Sequence, residues 1–432
     1  GMNASAPNFF SVFNSRFTFD NFISYFVFAS YFHARVWMGI DWGINNVKLW
    51  RLDTTGATWR YMLYDTDFAF GLYGGNIYQN YIDRARNPNY PNTHSEIFDH
   101  VLDNADFKCR FTNRYDDLIN TTFQTDHFNA VTDELKSELV PAIPDHIAAW
   151  SSQMGPYSYT NWLNAVNGIK TYNSSRIATA RQHLNQSLSL QGQLTVDLDV
   201  FPSTAGHVKL NSIMPELPWD GVYHGACPVA AQAIPSRGFL FSHWYSTATP
   251  YNNALQDSIE VALSANTTLV AHFDTCKNVV DATIEQSERM LKAGVSIAVS
   301  NPSYEWLYNG TLVSTDSVIY NPLDGDYQLM IRFDSCEIQS ETFIVNQGDY
   351  GIHLFPNPAV NALNIQFLMG QQENMTLGIY NTAGQLVWET TYSHFLGQFN
   401  TAIDVSTFAR DLYMLRITTP SVTYAGKFVL VD

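Results

Sequence analysis

Leu184-Asn-Gln-Ser-Leu-Ser-Leu-Gln-Gly-Gln-Leu-Thr-Val-Asp-Leu-Asp-Val200 is where the chain changes its period. Upstream of Gln191, apolar residues recur at helical spacing. From Leu194 they alternate with polar ones, the pattern of a half-buried strand. Working upstream, amphipathic helices are predicted over 174–188, 145–153, 125–139, 105–118 and 95–102. Asp20 is placed to cap a helix running through the aromatic run to about residue 36. Between them, Val47-Lys-Leu-Trp-Arg51 and Trp59-Arg-Tyr-Met-Leu-Tyr64 flank the turn signal Asp53-Thr-Thr-Gly56 and predict a strand pair. Working downstream, Gly206–Asn211, Gly238–Trp244 and Thr268–Phe273 continue the period of two. The expectation is a multidomain α+β chain: a mainly helical region over 1–190, then three all-β modules over 191–275, 276–346 and 350–432.

Composition supports several folded modules. The chain has 432 residues, 46% hydrophobic and 15% charged, with 14% aromatic. That is a globular balance, too long for one core. Lys and Arg number 23 against 40 Asp and Glu, a net charge of −17. Such a charge argues against a nucleic-acid partner, whose binding rests on neutralising phosphates. No apolar run reaches the roughly 20 residues of a transmembrane helix. The first residues show no basic start and no small-residue cleavage site, so the sequence reads as beginning inside a larger domain. Cys109, Cys227, Cys276 and Cys336 form no C-x-x-C pair, which argues against a zinc site. Cys276 and Cys336 bracket one β module and are expected to form a disulfide.

The last module carries an ordered set of motifs. Leu354-Phe-Pro-Asn-Pro358 opens it. Leu363–Phe367, Leu377-Gly-Ile-Tyr-Asn-Thr-Ala-Gly-Gln-Leu-Val387, Ile403-Asp-Val-Ser-Thr-Phe408, Leu412–Ile417 and Lys427-Phe-Val-Leu430 follow. Asn381 to Gly384 supplies a hairpin turn. This order resembles the type A sorting domain of the Bacteroidetes type IX secretion system, with Asp411 where that family usually has Gly. The resemblance implies a β-sandwich, the type IX machinery as partner, export across the outer membrane and attachment to the cell surface. An extended linker is expected near Asn346 to Asp349.

Chemistry concentrates in 41–71. Asp41-Trp-Gly-Ile-Asn-Asn-Val-Lys-Leu-Trp-Arg51 precedes Trp59-Arg-Tyr-Met-Leu-Tyr-Asp-Thr-Asp-Phe-Ala-Phe-Gly71. Asp41 and Asn46 have the D-x-x-x-x-N spacing of a kinase catalytic loop, where the Asp faces the attacking hydroxyl and the Asn holds a metal. Asp65 and Asp67 follow a strand, as a metal-bridging Asp does. Their hard oxygens suit Mg²⁺. Lys48 and Arg51 are expected to pair with the acidic loop, and His33, Trp42 and Trp50 to pack.

These motifs resemble the spore-coat-H-like (CotH) kinase family, and Phe107 to Thr121 resembles its F-x-x-x-F-x-N-R-x-x-D-L-x-N-T segment. The resemblance implies an atypical kinase-like domain over 1–190 that uses Mg²⁺ and ATP on Ser or Thr hydroxyls of secreted or surface proteins. Asp41 would be the catalytic residue and Asn46, Asp65 and Asp67 the metal ligands, with Asp65 favoured over Asp67. No glycine-rich phosphate loop precedes Asp41, so the nucleotide pocket is expected to be incomplete in this stretch.

Residues 206–273 resemble divergent internalin-type repeats. There His207, His243 and His272 are read as packing or solvent-facing residues. In 276–346, Trp306, Gly325-Asp-Tyr327 and Cys336 suggest an immunoglobulin-like sandwich. Two functions compete: an exported kinase, and a non-catalytic surface adhesin on a degenerate kinase-like scaffold. Deletion of 353–432 is expected to abolish surface display, measured by antibody labelling of intact cells. Undiminished labelling would remove the sorting-domain reading.

Overall fold

The computed structural model describes residues 3–72, 75–155, 157–248, 250–287, 290–345, 352–421 and 423–432. The linker expected near Asn346 to Asp349 lies outside the described residues. The chain divides into two compact units, one of residues 1–234 and 241–272, the other of 235–240 and 273–432.

The first unit begins with α1 (Phe9–Asn14) and α2 (Phe19–Tyr31). Eight of the residues of α2 are buried, from Phe22 to Tyr31, so the helix is apolar nearly all round and sits inside the core. Rings lock it in place: Phe26 stacks on Phe98 at 4.3 Å, Tyr31 on Phe123 at 4.3 Å and Tyr25 on Tyr61 at 4.7 Å. Two points differ from expectation. Thr18 is the N-cap and Asp20 lies in the first turn, and the helix stops at Tyr31 because His33 takes a positive φ of 54°. A short antiparallel pair follows, β1 (Lys48–Trp50) and β2 (Arg60–Met62), with Leu49 opposite Tyr61.

Then come α3 (Tyr81–Arg86), α4 (Thr93–Val101), α5 (Ala105–Asn120), α6 (Thr125–Leu139), α7 (Ile143–Met154) and α8 (Tyr159–Leu188). Asn80, Asn92, Asn104 and Ser158 cap α3, α4, α5 and α8 through their side-chain oxygens. The last helix starts fifteen residues earlier than its apolar pattern suggested, at Tyr159 and not 174. Its first half is largely exposed, so no buried stripe marks it.

The β layer of this unit has two sheets. One has the order β5 (Trp219–His224), β3 (Gln193–Phe201), β9 (Thr267–Thr275), β7 (Phe239–Ser246). The other has the order β4 (Gly206–Leu210), β6 (Val229–Pro235), β8 (Ser258–Val261). In β4, β6 and β8 buried and exposed residues alternate strictly at first, so one face is core and the other open.

Helix α5 joins the helical and β parts. Asp116 is fully buried between Arg181 (3.0 Å) and His224 Nδ1 (2.9 Å), and also accepts from the His224 amide. Asp117, also fully buried, accepts from the hydroxyls of Ser212 and Tyr223 and from the Ser212 amide. A disulfide between Cys109 and Cys227, with Cα atoms 5.0 Å apart, fastens the same helix covalently.

The second unit opens with the single turn α9 (Cys276–Val279). Its first module has a three-stranded sheet, β10 (Ala282–Ser287), β11 (Met290–Val295), β14 (Val318–Tyr320), and a second sheet, β13 (Thr311–Ser314), β12 (Ser303–Tyr308), β15 (Gly325–Phe333), β16 (Cys336–Gln339), with β17 (Phe343–Val345) also on β15. Trp306 is completely buried, with its indole N–H donated to Asp316 O at 2.8 Å. The Cys276–Cys336 disulfide, Cα atoms 5.8 Å apart, lies in the same core.

The last module is a sheet in the order β18 (His353–Phe355), β19 (Ala362–Tyr380), β21 (Leu412–Thr418), β22 (Thr423–Val429), with β20 (Leu386–Asp404) on β19. It packs on the module before it. Leu368 belongs to the Trp306 core, and Asn321 donates to Gln366 O at 3.3 Å. Gly397, at φ +100°, has Val313 O 2.3 Å from where a Cβ would stand, so only glycine fits this approach.

Among the described residues, no helix is long and apolar enough to cross a membrane. Replacing Cys109 and Cys227 together by Ala should destabilise the first unit. Their closure spans 118 residues, worth about 4 to 5 kcal/mol in a chain-entropy account. Guanidinium unfolding of the double variant should show that loss in the first unit, with the Trp306 core unaffected.

Candidate functional site

The loop after α2 holds Asp41 in place by charge. Arg35 Nε donates to Asp41 Oδ2 at 2.9 Å and Arg84 Nη2 to Oδ1 at 2.5 Å. Partial burial works against the charge, but the two guanidinium groups outweigh it and hold the carboxyl below its ordinary range. Arg35 also donates to Leu72 O and lies over the Trp42 ring, so it ties both ends of the 41–72 segment together. Arg84 comes from α3. Gly39 allows the loop to reach α4: at φ +74° its missing Cβ leaves room for Tyr90 O, 2.2 Å from that position.

Asn46 and Asp65 are brought together. Asn46 Nδ2 donates to the backbone O of Asp65 at 3.2 Å. With Arg35, Leu63, Thr66 and Phe68 they line a small recess of about 20 Å³, room for one water or ion. Asp41 and Asp67 do not line it. Asp67 titrates above the ordinary range: loss of hydration, a hydrogen bond with Asp65 and that neighbour's charge all favour its protonated form. Asp65 and Phe70 have positive φ angles of 51° and 55°, an unfavoured backbone region for non-glycine residues that clusters at functional sites.

Lys48 and Arg51 do not pair with the acidic loop. Lys48 Nζ lies 5.3 Å from the Tyr64 ring centre, and the Arg51 guanidinium 4.8 Å from that of Trp59. Arg60 covers Trp50 in the same way. Trp42 and Trp50 are 44% and 43% exposed, so they are cation-bearing surface rings and not core. His33 does pack: it is buried and stacked on Tyr81 at 4.3 Å, and burial followed by the charge of Arg176 pushes its imidazole down to about 2. Arg176 is fully buried and donates to Tyr31 O at 2.9 Å. His243 and His272 stack on each other at 4.5 Å.

Among the described residues, no three His, Cys, Asp or Glu side chains gather closely enough to hold a metal ion. The fit to Mg²⁺ therefore differs by residue. Asp67, whose carboxyl is raised by loss of hydration and by neighbouring Asp65, would be relieved by a divalent cation. Both oxygens of Asp41 are already ion-paired. Arg35, Arg84 and Arg176 were not singled out in the sequence. Arg35 lies six positions before Asp41 but outside its motif, while Arg84 lies 43 positions from Asp41 and Arg176 145 from Tyr31. The Cys109–Cys227 pair was legible by counting, since two cysteines remain once Cys276 and Cys336 are joined.

With this geometry in place, comparison with known proteins adds the family. Residues 2–179 match the family described as CotH kinase protein, and residues 353–431 match the secretion system C-terminal sorting domain. The chain carries a CotH-like region followed, at its C-terminal end, by a sorting domain. The sorting domain makes it a secreted, cell-surface protein and implies the type IX machinery of Bacteroidetes. No curated protein matches the chain.

Among solved structures, a biofilm-associated protein BSP domain aligns at 9% identity and TM-score 0.18, over 56% of this chain and 57% of that one. The receptor tyrosine kinase Torso aligns at 10% identity and TM-score 0.15, over 36% of this chain and 75% of that one. A Parabacteroides merdae β-glucuronidase aligns at 13% identity and TM-score 0.15, over 45% and 35%. The chain spans little more than half of the first of these, and likenesses at such scores carry no argument.

Replacing Arg84 by Met in the CotH-like region should raise the Asp41 pKa, read by carboxyl carbon NMR. A depressed carboxyl pKa contributes stability that is present above the ordinary carboxylate range and lost as pH falls through the depressed value. The variant should therefore be less stable than the parent near neutrality, and the two should converge in acid.

Proposed function

We propose that this surface protein carries a phosphoryl-transfer site, acting from ATP on Ser or Thr hydroxyls of secreted or surface proteins. The observation that carries the reading is the meeting of Asn46 and Asp65 at one recess, with Asp67 in contact with Asp65. Asp65 and Asp67 would hold Mg²⁺, and Asn46 would orient Asp65. Such an ion, when bound, neutralises charge on the transferred phosphoryl group. Asp41 stays ionised under Arg35 and Arg84 and would accept a hydrogen bond from the incoming hydroxyl, fixing its direction. The type IX tail would deliver the domain to the outer-membrane surface, with 276–345 as an immunoglobulin-like spacer.

One observation favours the alternative, a non-catalytic display protein. Both oxygens of Asp41 are engaged by arginines, which leaves it a weak base.

Asp65→Asn in the full-length protein separates the two. Calorimetric Mg²⁺ affinity should fall. Phosphate transfer to Ser/Thr peptides should drop about a hundredfold or more, as expected when charge stabilisation is removed. Thermal stability should stay near that of the parent. Transfer at the parental rate would end the kinase reading, and no transfer by the parent would favour display.

A further inference from the structure

Helix α6 has no buried residue over its fifteen positions. Its start is anchored by Phe128, whose ring lies 5.8 Å from that of Phe32 and 6.3 Å from that of Phe70. Further along it is tied to α8 through Asp133, which takes Lys136 at 2.6 Å and Lys170 of α8 at 2.5 Å. A helix of this length is marginal by itself and gains its stability from covering an apolar face. In α6 such a face is left open.

Val131, Leu135 and Leu139 recur at i, i+4 and i+8, so they stand in one row about 12 Å long on the helix surface. They are 42%, 55% and 52% exposed. Single exposed apolar side chains are ordinary on a protein surface, whereas a continuous row marks a contact.

The charge around the row has one sign. Glu134 and Glu138 precede Leu135 and Leu139 by one position each and run beside them at the same spacing. Among Asp, Glu, Lys and Arg in residues 125–170, the exposed side chains are Asp126, Glu134, Glu138 and Asp145, all acidic. The two lysines of this stretch, Lys136 and Lys170, are both committed to Asp133. Among the described residues the four exposed acids make no ion pair. The apolar row is therefore bordered by negative charge and by no uncompensated Lys or Arg of its own stretch.

From these we infer that the exposed face of α6 docks a basic amphipathic helix of a partner protein. Its apolar side chains would cover Val131, Leu135 and Leu139, and its Lys or Arg side chains would meet Glu134 and Glu138. A partner helix repeats its side chains at the same i, i+4 spacing, so it can match the apolar row and the acidic row together. A second copy of this chain would set Glu134 and Glu138 against their own counterparts, and like charges across a contact are costly. An anionic lipid surface is repelled for the same reason. The docking does not rest on phosphoryl transfer and holds equally for a display protein.

The test uses the full chain and fluorescent peptides read by polarisation: a Leu/Lys amphipathic helix, a scrambled peptide of the same composition, and a Leu/Glu amphipathic helix. The Leu/Lys helix should bind, more weakly as salt rises, and the other two should not. Leu135→Gln with Leu139→Gln should weaken binding about tenfold or more. Glu134→Lys with Glu138→Lys should abolish binding of the Leu/Lys helix and create binding of the Leu/Glu helix, a gain that a merely unfolded variant cannot show. Three results would overturn the inference: equal binding of the ordered and scrambled basic peptides, binding unchanged in both double variants, or a dimer in sedimentation equilibrium that Leu135→Gln with Leu139→Gln dissolves, which would give the face to a second copy. Asp65→Asn should leave the peptide binding intact, so failure here and failure of the kinase reading are told apart.

Discussion

Two adjacent carboxylates on one helix hold the first unit together. Asp116 and Asp117 are fully buried on α5, and both reach across to strands or turns of the β layer. Asp116 is neutralised by Arg181 and bonded to His224. Among the described residues Asp117 makes no ion pair and relies on hydroxyl, amide and backbone donors. Burial pushes its carboxyl up to about 6 in spite of them. Buried charge is costly unless every lone pair is met, so the two residues demand that β4, β5 and α8 arrive together. Neighbouring Asn113 and Asn120 add bonds to Pro228 O and Val222 O. The helical and β parts of this unit therefore share one polar seam, with a disulfide at its edge.

The acidic loop is built on a different principle. Its residues are held by arginines and rings and not by a sheet. Arg35 spans from Asp41 to Leu72, and cations lie over Trp42, Trp50, Trp59 and Tyr64. Charge-assisted bonds on half-exposed groups are directional but modest in strength. Such a loop keeps its carboxylates placed while remaining open to exchange of partners. Backbone strain at Asp65 and Phe70 is sustained by the aromatic packing beneath, where Phe70 contacts Phe32 and Tyr172.

The sorting module shows why its sequence motifs take the form they do. Asn357, between the two prolines, donates to Lys427 O and accepts from Val429 N, pinning the first strand's exit to the last strand. Asn381 accepts from Ala383 N and Gln385 N and so shapes the hairpin turn, with Gly384 at φ +77°. These local bonds explain the spacing. They do not explain the contact of Gly397 with Val313 or of Leu368 with the Trp306 core, which join the module to the one before it.

Periodicity was enough for most elements. The change near Gln191, helix α6 over its whole length, and the hairpin at Asn381–Gly384 all follow from short-range pattern, because a helix or strand buries a stripe that recurs every 3.6 or two residues. The same motifs identified the two families and picked out Asp41, Asn46, Asp65 and Asp67. Short elements such as α1 and α3, and the exposed first half of α8, carry no stripe long enough to read. Apart from the disulfides, which side chains pair was beyond the sequence. Arg84 meets Asp41 across 43 positions and Asp116 meets His224 across 108. Long-range partners are selected by where burial forces polar groups to find donors and acceptors, and that is settled only when the whole core has closed. The chain's own pattern thus determined its elements, its families and its acidic loop. The tertiary structure alone decided that two arginines cap Asp41 and that Asp116 and Asp117 find their partners in the β layer.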